Sequence, residues 1–502
     1  MYEKKALEKK ADEYEETGTY YFCHVRIRLQ QILRQRYFSM AYLRKFKSWL
    51  FESIDGHVLG AFRIIFGLFM AYEAWVYLRI GLIEQGLLAP QILFKYDGLG
   101  WLHPFSAPVM YAILAVMGLS GLLIAAGVMF RWACWVFALS LAFIFLQEKS
   151  YYNNHIYLFI LLGVMLSFTH ADHFLSLRRK AGRFTALPRW QQFIFQAQFV
   201  IVYFYGGLTK LKLDWWIRKE PITSMVNSFP SSHWLAPFFK TDFSIGVLTY
   251  GGLLLDILAP LLLWYKPVRR WAMIPFAAFH LANSRIFDDI GIFPYVMLCS
   301  LILFFETKEL PLLRRWASPT PGVSQSGAPQ PKGASQQSKT TEAPRPSVPV
   351  TPVWMKNVLA GFFAFQLLFP FRGFFLPNKM DWTGIGKNFS WRMKVDTRSI
   401  EEMTFTVHNP VNGQVSPVNV GSFVNQMQIL NMANDVRSVA AFARKLRDHV
   451  ARQGMPGAVV KARIRVRYNG RPPQLLVNPD VDLASVTYSP FRKLDWVIPF
   501  QE

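Results

Sequence analysis

The chain has 502 residues, of which 52% are hydrophobic and 16% aromatic, and its formal net charge is +23. Such a high apolar content, with the charge concentrated between apolar runs, indicates an integral membrane protein and argues against nucleic acid as the partner of the positive charge. Three cysteines, two of them inside apolar runs, do not make a disulfide framework.

Residues 1–57 form a charged arm that lacks the short apolar core of a cleavable signal peptide. Its basic amphipathic part, VRIRLQQILRQRYFSMAYLRKFKSWLF, is typical of helices that lie on a membrane surface. We expect this arm to be cytoplasmic.

Nine apolar segments of roughly spanning length follow the arm. If the arm is cytoplasmic, every strongly basic short loop between them falls on the same side of the membrane, as the positive-inside rule requires. The sequence therefore predicts eight spans within residues 58–308 and a ninth at 354–376. The segments lie near residues 59–80, 107–128, 131–147, 152–168, 192–210, 244–264, 271–287, 290–306 and 355–376.

Two further regions differ in composition from the spans. Residues 309–353 are rich in Pro, Ser and Gln and predict a cytoplasmic linker that cannot support a packed core. Residues 377–502 contain alternating strands followed by Asn412-Gly413 and Asn469-Gly470, and a helical period in DVRSVAAFARKLRDHVARQ. The predicted fold class is a mostly α membrane protein of about nine transmembrane helices, followed by a small β-rich (α+β) extracytoplasmic domain.

One ionisable side chain, Lys210, ends the apolar segment VYFYGGLTK. An ionisable group at membrane depth is costly to keep, so a functional role is the default hypothesis, and a buried amine can serve as a general base. Asp214, one turn later, could pair with Lys210. The alternative from this stretch alone is a lysine that snorkels to the membrane surface at a helix end.

Polar residues on two other predicted spans lie at the same depth. Asn154 and His155 begin the fourth span at its outer end, and His280 and Asn283 lie near the outer end of the seventh. We therefore expect Lys210, His155 and His280 to form one site in the extracytoplasmic half of the bundle.

No metal centre is predicted. His170 and His173 have the spacing of a ligand pair, but they lie at the inner end of the fourth span, where an interfacial cap is the better interpretation. The sequence also lacks phosphate-cradling, nucleophile-elbow and zinc-protease motifs.

Several stretches resemble the vitamin K-dependent γ-glutamyl carboxylase family, including its HTTM-type membrane domain and its bacterial members. They are NNHIYLFILLGVMLSFTHADH, QAQFVIVYFYGGLTKLKLDWW, FHLANSRIF with FPYVML, WTGIGKNFSWRM and VDLASVTYSPFRKLDWVIP, in the family's order. The resemblance implies an integral, multi-pass enzyme of a bacterial inner membrane that works with membrane lipids around it. Its activity would be the carboxylation of glutamate to γ-carboxyglutamate, coupled to O2-dependent epoxidation of reduced vitamin K. CO2 is the other co-substrate, and the partner is an extracytoplasmic protein or peptide that contains glutamate.

The same resemblance implies roles for individual residues. It makes Lys210 the base that deprotonates the quinol, assigns His155 to the carboxylation step, and links His280 to the quinone site. Further residues follow as candidates: Asn154, Asn283, Tyr205 and Ser284 for the cofactor, and Ser390, Trp391 and Arg398 for the substrate glutamate.

The chain departs from the animal enzyme at several points. Thr209 replaces the first of two adjacent lysines, Gly373 replaces a histidine, and Lys387 replaces an aromatic residue. Two alternative functions stay open: a quinol epoxidase that does not carboxylate, and a membrane protein that binds a quinone or lipid without turnover.

Overall fold

The computed structural model describes residues 41–177, 184–232, 234, 236–287, 290–316 and 347–502. Most of the predicted N-terminal arm and of the Pro/Ser/Gln-rich linker lies outside these ranges. Within them the chain is mostly helical, with a small sheet near its C-terminus.

Residues 41–50 are helical, and the bundle that follows begins at His57. Its longer helices are α1 (His57–Arg79), α2 (Ala107–Ala126), α3 (Phe130–Phe145), α4 (Asn154–Ser167) and α5 (Trp190–Lys210). Four short helices then lead back into the bundle: α6 (Leu213–Trp216), α7 (Ile222–Asn227), α8 (Ala236–Phe239) and α9 (Asp242–Gly246). The remaining bundle helices are α10 (Gly252–Trp264), α11 (Lys266–Ile286), α12 (Phe293–Ser300) and α13 (Val353–Leu368).

All nine predicted apolar segments lie on helices. Among the described residues, four helical stretches are long and apolar enough to cross a membrane: His57–Arg79, Ala107–Ala126, Asp242–Trp264 and Val353–Phe375. Three other apolar helices are shorter, Phe130–Phe145, Asn154–Ser167 and Phe293–Phe304. The helix α5 contains four glutamines and α11 begins with a basic turn, so that neither resembles a simple lipid-facing span.

Helices α1 and α2 pack at unusually close range because glycines face each other. A Cβ atom built on Gly67 would lie 2.5 Å from the carbonyl oxygen of Gly121, a contact that no side chain tolerates. Small residues that let two backbones approach are the usual means of packing helices in a membrane, where burial from water offers no driving force.

The C-terminal domain is a four-stranded antiparallel sheet with helices against one face. Its strands are β3 (Arg398–His408), β4 (Val415–Pro417), β5 (Val459–Tyr468) and β6 (Gln474–Leu475), in the order β4-β3-β5-β6. A separate two-stranded ladder joins β1 (Ser53–Ile54) to β2 (Leu187–Pro188). The domain's helices are α14 (Met380–Thr383), α15 (Gln426–Met432) and α16 (Val436–Arg452).

Both Asn-Gly hairpin predictions are confirmed, and so is the predicted helix. Asn412-Gly413 lies between β3 and β4, Asn469-Gly470 lies between β5 and β6, and each pair of strands is antiparallel. The helix α16 begins after Asp435, whose carboxylate accepts a hydrogen bond from the backbone N–H of Arg437. This cap satisfies an N–H group that the helix leaves without a partner.

Two buried carboxylates join the domain's loops to basic side chains. Burial alone would raise the pKa of Asp396, but the charges of Lys387 and Arg398 outweigh it and lower the pKa to about 2. Burial likewise opposes ionisation of Asp435, and Lys149 and Arg437 hold its pKa well below the usual range. Lys149 belongs to the membrane part, so its 3.0 Å ion pair with Asp435 also anchors the domain to the bundle.

The protein is expected to lose stability in acid between about pH 4 and pH 2. An aspartate whose folded pKa is lowered stabilises the fold fully above its unfolded pKa, near 3.9, and this contribution disappears as the pH falls to the folded pKa. For Asp396 the difference corresponds to roughly 2 to 3 kcal/mol. Thermal unfolding followed by fluorescence should show a steep fall over this range. The Asp396→Asn variant should have a lower unfolding temperature at pH 7, and this temperature should decrease less between pH 4 and pH 2. An equal decrease in both proteins would show that other groups are responsible.

Candidate active site

A cavity of about 260 Å³ lies where the helical bundle meets the C-terminal domain. Its wall includes the last turn of α5, the first turn of α4, the second half of α11 and the loop at 387–396. Lys210, His155 and His280 all line it. The three residues that the sequence placed at one depth therefore share one cavity.

Lys210 is paired with a carboxylate that lies 46 positions later in the chain. Its Nζ donates a 2.5 Å hydrogen bond to Oδ2 of Asp256 on α10, and the two side chains are only 8% and 5% exposed. A charge taken out of water must be compensated by a close partner, and this pair compensates both members. The predicted pairing of Lys210 with Asp214 is therefore wrong.

Asp214 instead joins the bundle to the C-terminal domain. It accepts hydrogen bonds from Asn469 at 2.8 Å and from the guanidinium of Arg471 at 2.6 and 2.9 Å. Asn469 and Arg471 belong to the turn between β5 and β6. The hairpin that the sequence predicted thus ends against the short helix that follows Lys210.

Two glycines of α5 let α10 approach closely and leave space for the Lys210–Asp256 pair. A Cβ atom on Gly206 would lie 2.9 Å from Oδ2 of Asp256, and one on Gly207 would lie 2.8 Å from the side chain of Ile257. A methyl group at position 206 would force Oδ2 to move, and one at position 207 would force the Ile257 side chain to move. Gly206 thereby accommodates the Asp256 carboxylate, and Gly207 accommodates Ile257.

Aromatic rings surround the Lys210 ammonium on its other sides. Nζ lies 4.9 Å from the ring centre of Trp215 and 5.8 Å from that of Phe279. The Trp215 ring is held by its N–H, which donates to the carbonyl oxygen of Thr249 at 2.9 Å. Ring faces attract a cation and exclude water, so Lys210 is both stabilised and kept dry.

The two histidines line the cavity in different surroundings. Nε2 of His280 lies 2.7 Å from the hydroxyl of Tyr203, a buried contact between α11 and α5. The ring of His155 stacks on Phe293 with centres 5.6 Å apart. Asn283 also lines the cavity, one turn after His280.

Asn154 attaches the loop at 387–396 to the bundle. Its Nδ2 donates to the carbonyl oxygen of Arg392 at 2.8 Å, and its Oδ1 accepts from Tyr152 at 2.9 Å. The Tyr152 hydroxyl in turn accepts a 2.6 Å hydrogen bond from the N–H of Phe389. The first turn of α4 therefore sets the position of this loop.

The loop has a strained backbone and a charged surface. Phe389, Trp391 and Lys394 adopt left-handed conformations with φ of 60°, 54° and 49°. Such conformations cost about 1 to 3 kcal/mol each and persist where the surroundings impose them, commonly at functional sites. Four charged side chains of the loop line the cavity: Lys387, Arg392, Lys394 and Asp396.

Five of the predicted site residues do not line the cavity. Tyr205 donates to the carbonyl oxygen of Leu367, and Ser284 donates to that of Leu281 at 2.8 Å. Ser390 bonds Gly386 O at 2.7 Å, and Trp391 stacks on Tyr157 with centres 4.9 Å apart. The guanidinium of Arg398 donates to backbone carbonyls of the C-terminal domain. The contacts of these five side chains therefore lie outside the lining of the cavity.

Asp256 and the charged residues of the loop were not predicted from the sequence to be part of the site. The signal for Asp256 was present, because it is an acidic residue inside the apolar segment 244–264, the same anomaly that singled out Lys210. For the loop there was no such signal, since charged residues are ordinary in a small β-rich domain. No group of side chains suited to a metal ion occurs in the described ranges.

Comparison with known families covers both parts of the chain. The family model of the HTTM domain matches residues 51–308, and that of the vitamin K-dependent gamma-carboxylase lumenal domain matches residues 352–502. No solved structure matches the chain.

Proposed function

The chain belongs to the vitamin K-dependent gamma-carboxylase family, and from this premise we propose that it couples oxidation of a reduced naphthoquinone to the carboxylation of glutamate. The observation that carries the proposal is the buried Lys210–Asp256 pair in a cavity shared with His155 and His280. We further propose nine membrane spans, an N-terminus in the cytoplasm and a C-terminal domain outside a bacterial inner membrane. This orientation places the cavity at the outer membrane surface.

The cavity has features suited to the ring of a reduced naphthoquinone. Its volume approaches the lower end, about 300 Å³, of the range for small-molecule sites. Apolar side chains, among them Val226, Leu248 and Met297, form walls suited to a bicyclic ring, and the Lys210–Asp256 pair offers a proton acceptor to a ring hydroxyl. When bound, the reduced quinone supplies on reaction with O2 the strong base that carboxylation requires.

Lys210 would take the first proton. Nζ can pass its own proton to Oδ2 of Asp256 over 2.5 Å, which leaves a free amine without changing the net charge of the pair. The amine can then accept the proton of a hydroxyl group that enters the cavity. General-base catalysis of this kind contributes about 10² to 10⁴ in rate.

The charged loop would receive the glutamate. Lys387 is paired with Asp396 at 2.7 Å and Arg392 with Asp381, so both cations are held in place at the cavity wall. A carboxylate of the substrate peptide could bind there and present its γ-carbon to the dry interior. Water would quench a base strong enough to attack that carbon, and the aromatic and apolar walls exclude it.

The experiment that tests the function follows two products at once. Purified protein is given reduced vitamin K, O2, labelled CO2 and a glutamate-containing peptide, with an O2-free sample as control. We expect labelled peptide and quinone epoxide together. Epoxide at an unchanged rate with and without peptide, and no label, would favour the epoxidase alternative. Quinone binding without either product would favour the binding protein.

Gly206→Ala is expected to lower epoxide formation by about tenfold or more without unfolding the protein. The added Cβ would lie 2.9 Å from Oδ2 of Asp256 and must displace the carboxylate from Lys210. Elsewhere in a helix the same change stabilises by about 0.5 to 1 kcal/mol. Gly361→Ala is the matched control, because a Cβ at this position of α13 meets nothing within 4 Å. Equal activities of the two variants would show that the close α5–α10 packing is not needed for turnover.

A further inference from the structure

A second cavity, of about 320 Å³, lies at the opposite end of the bundle. It is lined by the first turn of α3, from Met129 to Trp132, and by His170, Asp172 and His173. The helix α4 separates the two cavities: Asn154 at its start lines the first, and Ser167 at its end lies three residues before His170. Fourteen helical residues span about 21 Å.

The side chains at this cavity contain more hydrogen-bond donors than acceptors. His170 Nε2 lies 3.0 Å from the guanidinium of Arg131, and His170 Nδ1 lies 3.1 Å from Nε2 of Gln191. The Gln191 amide is oriented by its oxygen, which accepts from the N–H of His170 at 2.8 Å. Burial and the nearby charge of Arg131 lower the pKa of His170 to about 4, so at neutral pH its ring offers a single acceptor nitrogen. Among the described residues, two donors therefore compete for one acceptor.

Other groups add to this surplus. Phe184 N donates to His173 Nδ1 at 3.1 Å, so this ring nitrogen already serves as an acceptor. Met129, at the N-cap of α3, provides no side-chain cap, and the first turn of a helix carries N–H groups that need acceptors. Asp172 is the one carboxylate of the described lining, and the electrostatic influence of Arg63 reaches it. Among the described residues, Arg63 and Arg131 thus bring two positive charges near the one negative charge of Asp172.

The surface beside the cavity is apolar. Met129 and Trp132 are 58% and 72% exposed. Further exposed apolar side chains continue from Trp132 along one face of α3, at the i+3, i+4 and i+7 positions of a helix: Trp135, Val136 and Leu139. A molecule with an anionic head in the cavity and a hydrocarbon chain along this face would match both features. Free phosphate would match the cavity but not the apolar face.

We propose that this cavity binds the phosphate of an anionic phospholipid whose acyl chain lies along α3. The phosphate oxygens supply the acceptors that Arg131, the His170–Gln191 pair and the α3 N-terminus lack. The occupant belongs to the membrane leaflet at the end of the bundle that faces away from the C-terminal domain. The site does not depend on the proposed carboxylase function and can be tested without any turnover.

The test is lipid binding to the full-length protein in neutral detergent, measured by native mass spectrometry and by the rise in unfolding temperature. The probes are phosphatidylglycerol, phosphatidylcholine and inorganic phosphate. We expect phosphatidylglycerol to bind and stabilise, and Arg131→Gln to weaken its binding about tenfold, the effect of losing a charge-assisted hydrogen bond. Arg131→Lys keeps the charge and should retain part of the affinity. This result would show that the position tolerates substitution.

The matched control is Arg270→Gln, because Arg270 also lies near the start of a helix but is 67% exposed at its side chain and lines neither cavity. It should bind phosphatidylglycerol as the unmodified protein does. Equal affinity of Arg131→Gln and the unmodified protein would overturn the site. So would an equal loss in Arg270→Gln, which would indicate general attraction between charges. Binding of inorganic phosphate as tight as that of the lipid would overturn the assignment to a phospholipid.

Discussion

Lys210→Ala is expected to abolish epoxide formation and peptide carboxylation together, each by about 10² to 10⁴. Both products fall because the proton that Nζ accepts is removed before either product forms. The variant leaves Asp256 buried without its cation, and the carboxyl can then stay protonated and neutral. The fold should therefore survive, as measured by unfolding temperature and by quinone binding.

Lys212→Ala is the matched control for this result. Lys212 lies two positions later, but its ammonium pairs with Asp381 at 3.5 Å and it does not line the cavity. It should keep both activities. His155→Ala provides a second contrast, because His155 is proposed to act in carboxylation and its loss should spare epoxide formation. Wild-type epoxide rates in Lys210→Ala would refute the role of Lys210 as the base.

The sequence predicted those parts of the structure that depend on local pattern. Asn469-Gly470 indicated a turn because few residue pairs adopt that backbone conformation, and the hairpin is present. Hydropathy located the nine predicted apolar segments on helices, since the length of an apolar run can be read from the sequence without knowing its tertiary contacts. The number of spans is harder to predict, because α5 buries Gln191, Gln192 and Gln198 inside the protein and loses the composition of a lipid-facing helix.

Contacts between distant segments were less accessible to prediction. The predicted depth alone brought Lys210, His155 and His280 together, because polar residues near the same end of several predicted spans are expected to lie at one level of the membrane. Depth gives no rotation about a helix axis, so it did not reveal Asp256 as the partner of Lys210. This pairing follows from Gly206, whose missing side chain admits the Asp256 carboxylate. Asp214 is occupied by Arg471 of the other domain, which no local pattern reveals.

The loop at 387–396 illustrates a second limit. The resemblance directed attention to Ser390 and Trp391, yet their neighbours Arg392 and Lys394 line the cavity. Left-handed backbone at Phe389, Trp391 and Lys394 gives the loop an irregular course, in which Trp391 packs against α4 while Arg392 lines the cavity. Conformations that only tertiary contacts impose cannot be deduced from residue propensities.

Asp256→Asn is expected to lower epoxide formation about 10²-fold or more while quinone binding is retained. The amide has nearly the shape of the carboxylate and still accepts a hydrogen bond from Nζ, but it cannot take up the proton that Lys210 must release to become a free amine. In the unmodified pair this transfer is internal, over 2.5 Å, whereas in the variant the proton must leave a site whose side chains are shielded from solvent. The measurement is the single-turnover rate of epoxide formation across pH, beside Asp256→Glu, which keeps a carboxylate.

A double-mutant cycle separates proton sharing from simple support. If Lys210 and Asp256 act as one unit, Lys210→Ala with Asp256→Asn should be little slower than Lys210→Ala alone, since groups that act together are not additive. Additive losses would indicate independent roles. Wild-type rates in Asp256→Asn would mean that a neutral hydrogen-bond acceptor suffices, and the carboxylate would then serve only to hold Lys210 in the cavity. The expected non-additive loss would instead identify the pair, with its one shared proton, as the base.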